Sequence, residues 1–378
     1  MRKILFAALL AFTAVCSAFA SDSTRVVFGP WVTNVTETSF TVMWTTNERM
    51  LSAVEVSPAS SSREVFYESV TGRRHNGTVH KVEVTGLQKG TAYTYSIFGE
   101  PCIDDSDPYK MKFEKRRFFV GGKATTLDST APSCRFVMTN DIHCDDSLFT
   151  QLFSNIDSYN PDFILLNGDV ASYCESDEDL LSHQIAPIQT HLYRYPLFVS
   201  RGNHETRGPA FESYVKYFPT ATGGCYYCFR HGPVGIMVLD AGEDKPDDNV
   251  EYSGTADFDA YRSQELEWLK KAVKDPTFAE APQKICVIHI PTYNEPGAWY
   301  GQRWVSEHFM PVLNEAGVTL MLSGHYHEWI FAEKNKYGNN YEIIVNDSCD
   351  LLDFNATATE IKVSVYDLDG KLKHEFSK

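Results

Sequence analysis

Two regimes of hydrophobic patterning divide the chain. From position 25 to about 127, apolar and polar residues alternate with period two. "TSFTVMWTT" (38–46) and "HKVEVTGL" (80–87) are rich in Val, Thr and aromatics, which predicts an all-β unit. The small, turn-prone stretch "GGKATTLDSTAPS" (121–133) marks the boundary. Beyond it, short continuous apolar runs recur: Phe136–Met138, Phe163–Leu166, Leu197–Val199, Ile236–Leu239, Ile285–Ile288 and Val318–Leu322. Continuous runs predict strands buried on both faces, as in an α/β arrangement. Helical spacing appears between them. Leu148, Leu152 and Ile156 share a face that Asn160-Pro161 ends, and Leu266, Leu269 and Val273 share another, ended by Asp275-Pro276. Ser176 with Asp179 has the spacing of a capping box. The terminal "KVSVYDLDGKLKHEF" predicts a hairpin turning at Asp369-Gly370.

The first residues carry a different signal. Arg2 and Lys3 precede an apolar run, Ile4 to Val15, and Ala18-Phe19-Ala20 supplies a small-x-small cleavage site. Residues 1–20 therefore read as a signal peptide, which implies a secreted, periplasmic or extracellular protein. The run is too short for a comfortable membrane span, and no other stretch is long enough. Cys16 raises a lipid anchor, but the large Val15 before it favours plain cleavage after Ala20. The 378 residues carry 43% hydrophobic side chains, enough for a sizeable core and for two modules. The formal charge of −16 becomes −18 without Arg2 and Lys3, which argues against a general nucleic-acid surface. Of nine cysteines, eight follow the leader, a number compatible with disulfides in an oxidising compartment. Cys144 and Cys174 each follow a ligand-like motif and are candidates for a bridge between neighbouring loops. Cys225 and Cys228 would face opposite sides of a strand. Asn34, Asn76, Asn346 and Asn355 occupy glycosylation sequons.

Five of the apolar runs end in residues that bind metals. They yield Asp141 and His143 ("TNDIH"), Asp169 ("NGD"), Asn203 and His204 ("RGNHE"), His289 ("VIH"), and His325 and His327 ("SGHYH"). In open α/β sheets, sites form beyond the carboxyl ends of strands, so these distant residues can meet in one crevice. Mixed N/O donors suit Fe, Zn or Mn, and a carboxylate can bridge two ions. Residues 141 and 143 lie about 6–7 Å apart along an extended strand, so both reach one ion only if the strand is turning. Each motif alone is weak; five at the ends of buried strands are not.

This order of motifs resembles the calcineurin-like metallophosphoesterase superfamily over residues 131–378. The module at 21–127 resembles a fibronectin type III-like sandwich, with Trp44 as core tryptophan and Tyr93 as corner tyrosine. That pairing is similar to the layout of purple acid phosphatases. The resemblance implies a metallophosphoesterase-type β-sandwich flanked by helices, preceded by the all-β sandwich. It also implies two divalent or trivalent ions: one held by Asp141, His143, Asp169 and His327, the other by Asp169, Asn203, His289 and His325. His204 would act on the substrate. The implied chemistry is hydrolysis of a small-molecule or polymer phosphoester, with a metal-activated hydroxide as nucleophile and His204 as general acid.

The chain departs from the purple pattern twice. Asp141-Ile142-His143 stands where that pattern has Asp-x-Gly. Its tyrosine would fall at position 172, which is Ser, and Tyr173 comes one residue late. One ligand is lost and an imidazole gained, so Tyr173 is expected at the rim and no iron–tyrosinate colour is expected. Arg207 after "GNHE" and Tyr293 within the aromatic "PTYNEPGAWYGQRW" (291–304) are candidates for contact with substrate. A different class remains: a secreted binding or adhesion protein on a non-catalytic metallophosphoesterase fold, against which the intact ligand set argues.

Overall fold

The computed structural model describes residues 24–58, 63–107, 109–293 and 295–378. The segment expected to be a signal peptide, with Cys16, lies outside them. Among the described residues, no helix is long and apolar enough to cross a membrane.

The N-terminal unit is all β, and one long strand organises it. The first half of Ser39–Pro58 pairs with Trp31–Thr33 and Asn76–Thr85, and the second half with Glu64–Tyr67 and Ala92–Asp104. A register break between Thr45 and Met50 marks the change of partners, as expected where a strand bends. Trp44 is buried and stacks on His80 with ring centroids 5.0 Å apart. The Tyr93 hydroxyl accepts the Gln88 N–H at 2.9 Å, closing the corner over Lys89-Gly90. The unit is tied to the rest of the chain by Trp31, whose Nε1 donates to the Tyr217 carbonyl at 3.3 Å, and by Lys123 N–H to Tyr193 O at 2.7 Å.

The remainder is built on two six-stranded sheets. In the first, Leu197–Ser200, Phe163–Asn167 and Ser133–Thr139 run parallel, followed by three antiparallel strands, Leu351–Thr357, Ile361–Tyr366 and Leu372–Ser377. In the second, Val234–Leu239, Gln283–Ile288, Leu320–Ser323 and Glu342–Val345 run parallel between the edge strands Tyr227–His231 and Ile330–Ala332. The continuous apolar runs are explained by burial on both faces. Phe136, Met138, Phe163 and Leu165 pack inward against Ile236, Val238, Ile285 and Val287 of the facing sheet. Their neighbours Val137, Ile164 and Leu166 pack outward against the helices Asp146–Phe153 and Asp177–Gln184. Cys286 and Ile288 pack outward against Phe258–Ala272 and Tyr300–Ala316. The result is four layers, helix–sheet–sheet–helix.

Local expectations hold with adjustments. Ser176 Oγ accepts the Asp179 N–H at 3.1 Å and caps Asp177–Gln184. The buried face of Asp146–Phe153 is Phe149, Leu152 and Phe153; Leu148 is only half-buried, and Ile156 lies past the helix end in a separate 3-10 turn. The terminal hairpin turns through Gly370, which has φ +74° and donates to the Asp367 carbonyl at 2.9 Å. The eight described cysteines are free thiols, so the Cys144–Cys174 bridge is not formed. Cys225 packs in the core outside the first sheet and Cys228 against the one outside the second. The Asn346 sequon takes no glycan in the folded chain, because its side chain is fully buried and bonds the Asn140 Oδ1 at 3.0 Å.

Candidate metal centre

The parallel strands deliver their carboxyl ends to one crevice, and the backbone there takes an unusual form. Asp141, His143, Asp169, His325 and His327 all have positive φ, between 50° and 77°. Left-handed backbone costs an L-residue on the order of 1 kcal/mol or more, and such strain collects at functional sites. Here it turns the chain after Ser133–Thr139, Phe163–Asn167 and Leu320–Ser323, so that both Asp141 and His143 face the same space. The turns are stitched together by backbone bonds: Asp141 N–H to Gly168 O at 3.0 Å, His143 N–H to Asp169 O at 2.9 Å, and Gly324 N–H to His289 O at 3.0 Å. Glycine is required at two of them. A Cβ on Gly168 would lie 2.6 Å from the Gly202 Cα, and one on Gly202 would lie 2.2 Å from Asp169 Oδ1.

Seven candidate ligands meet in this crevice. Asp141 Oδ1 lies 3.2 Å from His327 Nε2, 3.7 Å from His143 Nε2 and 3.8 Å from His289 Nε2. Asp169 Oδ2 lies 3.1 Å from His289 Nε2 and 3.9 Å from both His143 Nε2 and His204 Nε2. His325 Nδ1 is 3.0 Å from Asn203 Oδ1, and the Nε2 atoms of His143 and His327 are 3.1 Å apart. Three groups have donor atoms close enough to hold an ion: Asp141/His143/His327, Asp169/His289/His325 and His143/Asp169/His204.

The crevice fits a cation. Asp141 Oδ1 and His289 Nε2 are buried and make no well-aligned hydrogen bond, although His327 Nε2 and Asp169 Oδ2 lie 3.2 and 3.1 Å away; a cation between these groups would satisfy them. Both are held in that orientation from behind. Asp141 Oδ2 accepts from Asn140 Nδ2 at 2.6 Å and from the His325 N–H at 2.8 Å. His289 Nδ1 donates to Asn167 O at 2.7 Å, which turns Nε2 into the crevice, where it can bind an ion once its proton is displaced. Burial disfavours a charge on His289, but the flanking Asp169 and Asp141 push it up to about 10. Burial likewise opposes charge on Asp141, yet His289, His143 and His327 hold it well below the usual carboxylate range. The pocket therefore attracts positive charge between its two carboxylates.

His204 differs from the others. Its Nδ1 donates to the Ser172 carbonyl at 2.9 Å, so Nε2 faces the crevice, where Arg207 Nη1 approaches to 2.9 Å. A guanidinium on Nε2 disfavours a metal ion at the same atom, although geometry alone admits His204 to a metal group. Arg207 is gripped by Glu243 through Nε at 2.6 Å and Nη2 at 3.0 Å. Tyr173 is 47% exposed and turned to the rim. Tyr293 does not line an open cleft: its side chain is fully buried, stacked between Tyr326 and Tyr337 with centroids 5.6 and 4.8 Å away. The stretch 291–304 is a loop only in its first part, because Tyr300 begins a 17-residue helix.

Several supporting residues escaped the sequence reading. Glu205 is fully buried and accepts four backbone N–H groups of the two adjoining loops. Asp240, which matched no ligand motif, pairs with Arg201 at 2.7 Å and accepts from the Tyr261 hydroxyl at 2.8 Å, fixing the chain just before Gly202. The final Glu of "GNHE" was a visible signal for Glu205; nothing local marked Glu243.

Two helix-flanked sheets whose strand ends carry Asp, Asn and His to one crevice define a metallophosphoesterase fold. Residues 134–329, more than half of the chain, match the Calcineurin-like phosphoesterase family, and residues 30–112 match the Purple acid Phosphatase, N-terminal domain. The chain belongs to the calcineurin-like phosphoesterase family. It is 23% identical over 318 residues to purple acid phosphatase 18 of Arabidopsis thaliana, covering 79% of this chain and 64% of that relative's length. Its fold is similar to that of purple acid phosphatase PPD1 from yellow lupin (Lupinus luteus) seeds, with TM-score 0.67, 15% identity, and coverage of 94% of this chain and 74% of the other.

Proposed function

We propose that the protein is an exported hydrolase of phosphate esters that works with two metal ions. The observation that carries this reading is the pair of buried atoms without a well-aligned hydrogen bond, Asp141 Oδ1 and His289 Nε2, aimed into a crevice of further N and O donors. Asp141, His143, Asp169 and His327 would hold one ion, and Asp169, Asn203, His289 and His325 the other, with Asp169 shared. When bound, such a pair supplies Lewis-acid charge and activates a water as nucleophile. The mixed donors suit Fe, Zn or Mn.

The protein's own groups do the rest. The strained turns and the glycines at 168 and 202 hold the ligands in place before substrate arrives, so little reorganisation is left for the reaction. Ser172 fixes the His204 ring so that Nε2 faces the reacting centre, where it can pass a proton to the leaving oxygen, a role typically worth about 10²–10⁴-fold. The leader at 1–20 supports export, and the fibronectin-like module serves as a spacer or packing partner. A non-catalytic binding protein has no observation in its favour, since His143 stands in for the lost tyrosine and the other proposed ligand positions are filled.

The test is phosphate release from p-nitrophenyl phosphate and its bis-ester, with metals added to the stripped protein. Turnover that depends on metal is expected; none with any of Fe, Zn or Mn would sink the reading.

A further inference from the structure

Arg207 is presented to the crevice by a built support. Glu243, almost fully buried, takes two edges of the guanidinium, Nε at 2.6 Å and Nη2 at 3.0 Å. This bidentate fork fixes the plane of the group and leaves Nη1 as its free end. Glu243 is itself located by Thr206 Oγ1 at 3.2 Å and the Asp244 N–H at 3.3 Å, and its carbonyl accepts from the buried Arg262. Arg262 Nε is anchored on the Ala241 carbonyl at 2.7 Å. Gly301 presses against the same point: a Cβ there would lie 2.3 Å from the Glu243 carbonyl oxygen. The free end, Nη1, is 2.9 Å from His204 Nε2, whose ring edge lies across from Asp169 and His143.

We infer that Glu243 is a positioning residue that aims Arg207 Nη1 at a terminal phosphoryl oxygen and thereby selects phosphomonoesters over diesters. This deepens the hydrolase reading and rests on it. A monoester offers three terminal oxygens and a diester two. Two are enough for the paired ions, so the third is left to Arg207, whose guanidinium is fixed in place by Glu243. In a diester that position is an uncharged ester oxygen, and the guanidinium meets no anion there. Moving Nη1 from His204 Nε2 to the phosphoryl oxygen also frees that nitrogen for its proton-transfer role.

The experiment compares Arg207→Ala, Arg207→Lys and Glu243→Gln with the parent, all metal-loaded and checked for metal content. For Arg207→Ala, kcat/KM on p-nitrophenyl phosphate should fall by about 10²–10³, the usual cost of one preorganised donor, with the bis-ester changed by less than about tenfold. Lysine should not restore the monoester, because an ammonium cannot engage both Glu243 oxygens and the substrate. Glu243→Gln should lower the monoester-to-diester ratio by about tenfold while Arg207 is still present. Equal losses on both esters would overturn the inference, as would an unchanged ratio in Glu243→Gln. Calorimetry with inorganic phosphate and dimethyl phosphate separates this from the fate of the hydrolase reading. If the parent cleaves neither ester, that reading fails. The inference then stands only if the parent prefers inorganic phosphate and Arg207→Ala loses the preference.

Discussion

Glu205 Oε2 accepts the backbone N–H of Asp169 at 2.9 Å, and the same oxygen accepts that of Gly202 at 2.9 Å. Its other oxygen takes the N–H groups of Val170 and Ala171 at 2.8 and 3.1 Å, and Gln184 Nε2 at 3.1 Å. One buried carboxylate thus clasps the loops that follow the second and third parallel strands. Replacing it with glutamine turns an acceptor into an amide that confronts backbone donors. Glu205→Gln should cost about 1–3 kcal/mol of stability and lower metal occupancy, read by denaturant unfolding and elemental analysis. A variant with unchanged midpoint and full metal content would show that the loops hold without the clasp.

His204 and Asp169 should separate catalysis from metal retention. His204→Ala removes the proposed proton donor but none of the seven proposed ligands. Turnover should fall by about 10²–10⁴-fold, more for alkyl phosphates than for p-nitrophenyl phosphate, while metal content stays near normal. Asp169→Asn removes the carboxylate proposed to be shared and should lose both metal and activity. Full activity of His204→Ala on a poor leaving group would remove His204 from the proton-donor role.

The parts of the site legible in the sequence were those that sit at strand ends. Asp141, Asp169, His289 and His325 were visible because each follows an apolar run that could only be a doubly buried strand. The roles of Glu205 and Glu243 were not, for a physical reason, although "GNHE" made the presence of Glu205 visible. Glu205 works on the N–H groups of a loop more than 30 residues away, and backbone partners leave no mark in side-chain patterns. Glu243 meets Arg207 across 36 positions. Tyr293 was misread because an aromatic that lines a cleft and one that stacks under it have the same local sequence. The helix Tyr300–Ala316 was hidden by its own composition, with Gly301 in its first turn and Pro311 inside it. The places of Cys144 and Cys174 just past two ligand-like motifs suggested a bridge between them, but Cys144 Sγ instead lies 3.2 Å from the Ser172 N.

Tyr173 provides a direct check on the departure from the purple pattern. The side chain is 47% exposed, and the residue at the expected tyrosine position, Ser172, uses its carbonyl to orient His204. Tyr173→Phe should leave kcat/KM within about twofold and the visible absorption of an iron-loaded sample unchanged. Loss of a visible band in that variant would make Tyr173 a ligand after all.

Acid sensitivity is expected to have a source far from the metals, in the all-β unit. His80 is buried between Ser52 Oγ, 2.8 Å from Nδ1, and Thr46 Oγ1, 2.9 Å from Nε2. Thr46 donates its only hydroxyl proton to the Glu48 carbonyl at 2.7 Å, so it must accept from His80 Nε2–H, and Ser52 then donates to Nδ1. The ring is thus satisfied in its neutral form, and burial lowers its pKa to about 3. Because the folded value lies below the unfolded one of about 6.5, the folded state binds fewer protons. The stabilisation is complete above about pH 6.5 and is lost as pH falls toward 3, by about 2 kcal/mol between pH 6.5 and 5. His80→Gln keeps polar groups at the site but does not titrate. Amide hydrogen exchange of the Ser39–Pro58 strand should therefore quicken from pH 7 to pH 5, after correction for intrinsic rates, more in the parent than in the variant. Equal changes in both would clear His80 and place the acid sensitivity elsewhere.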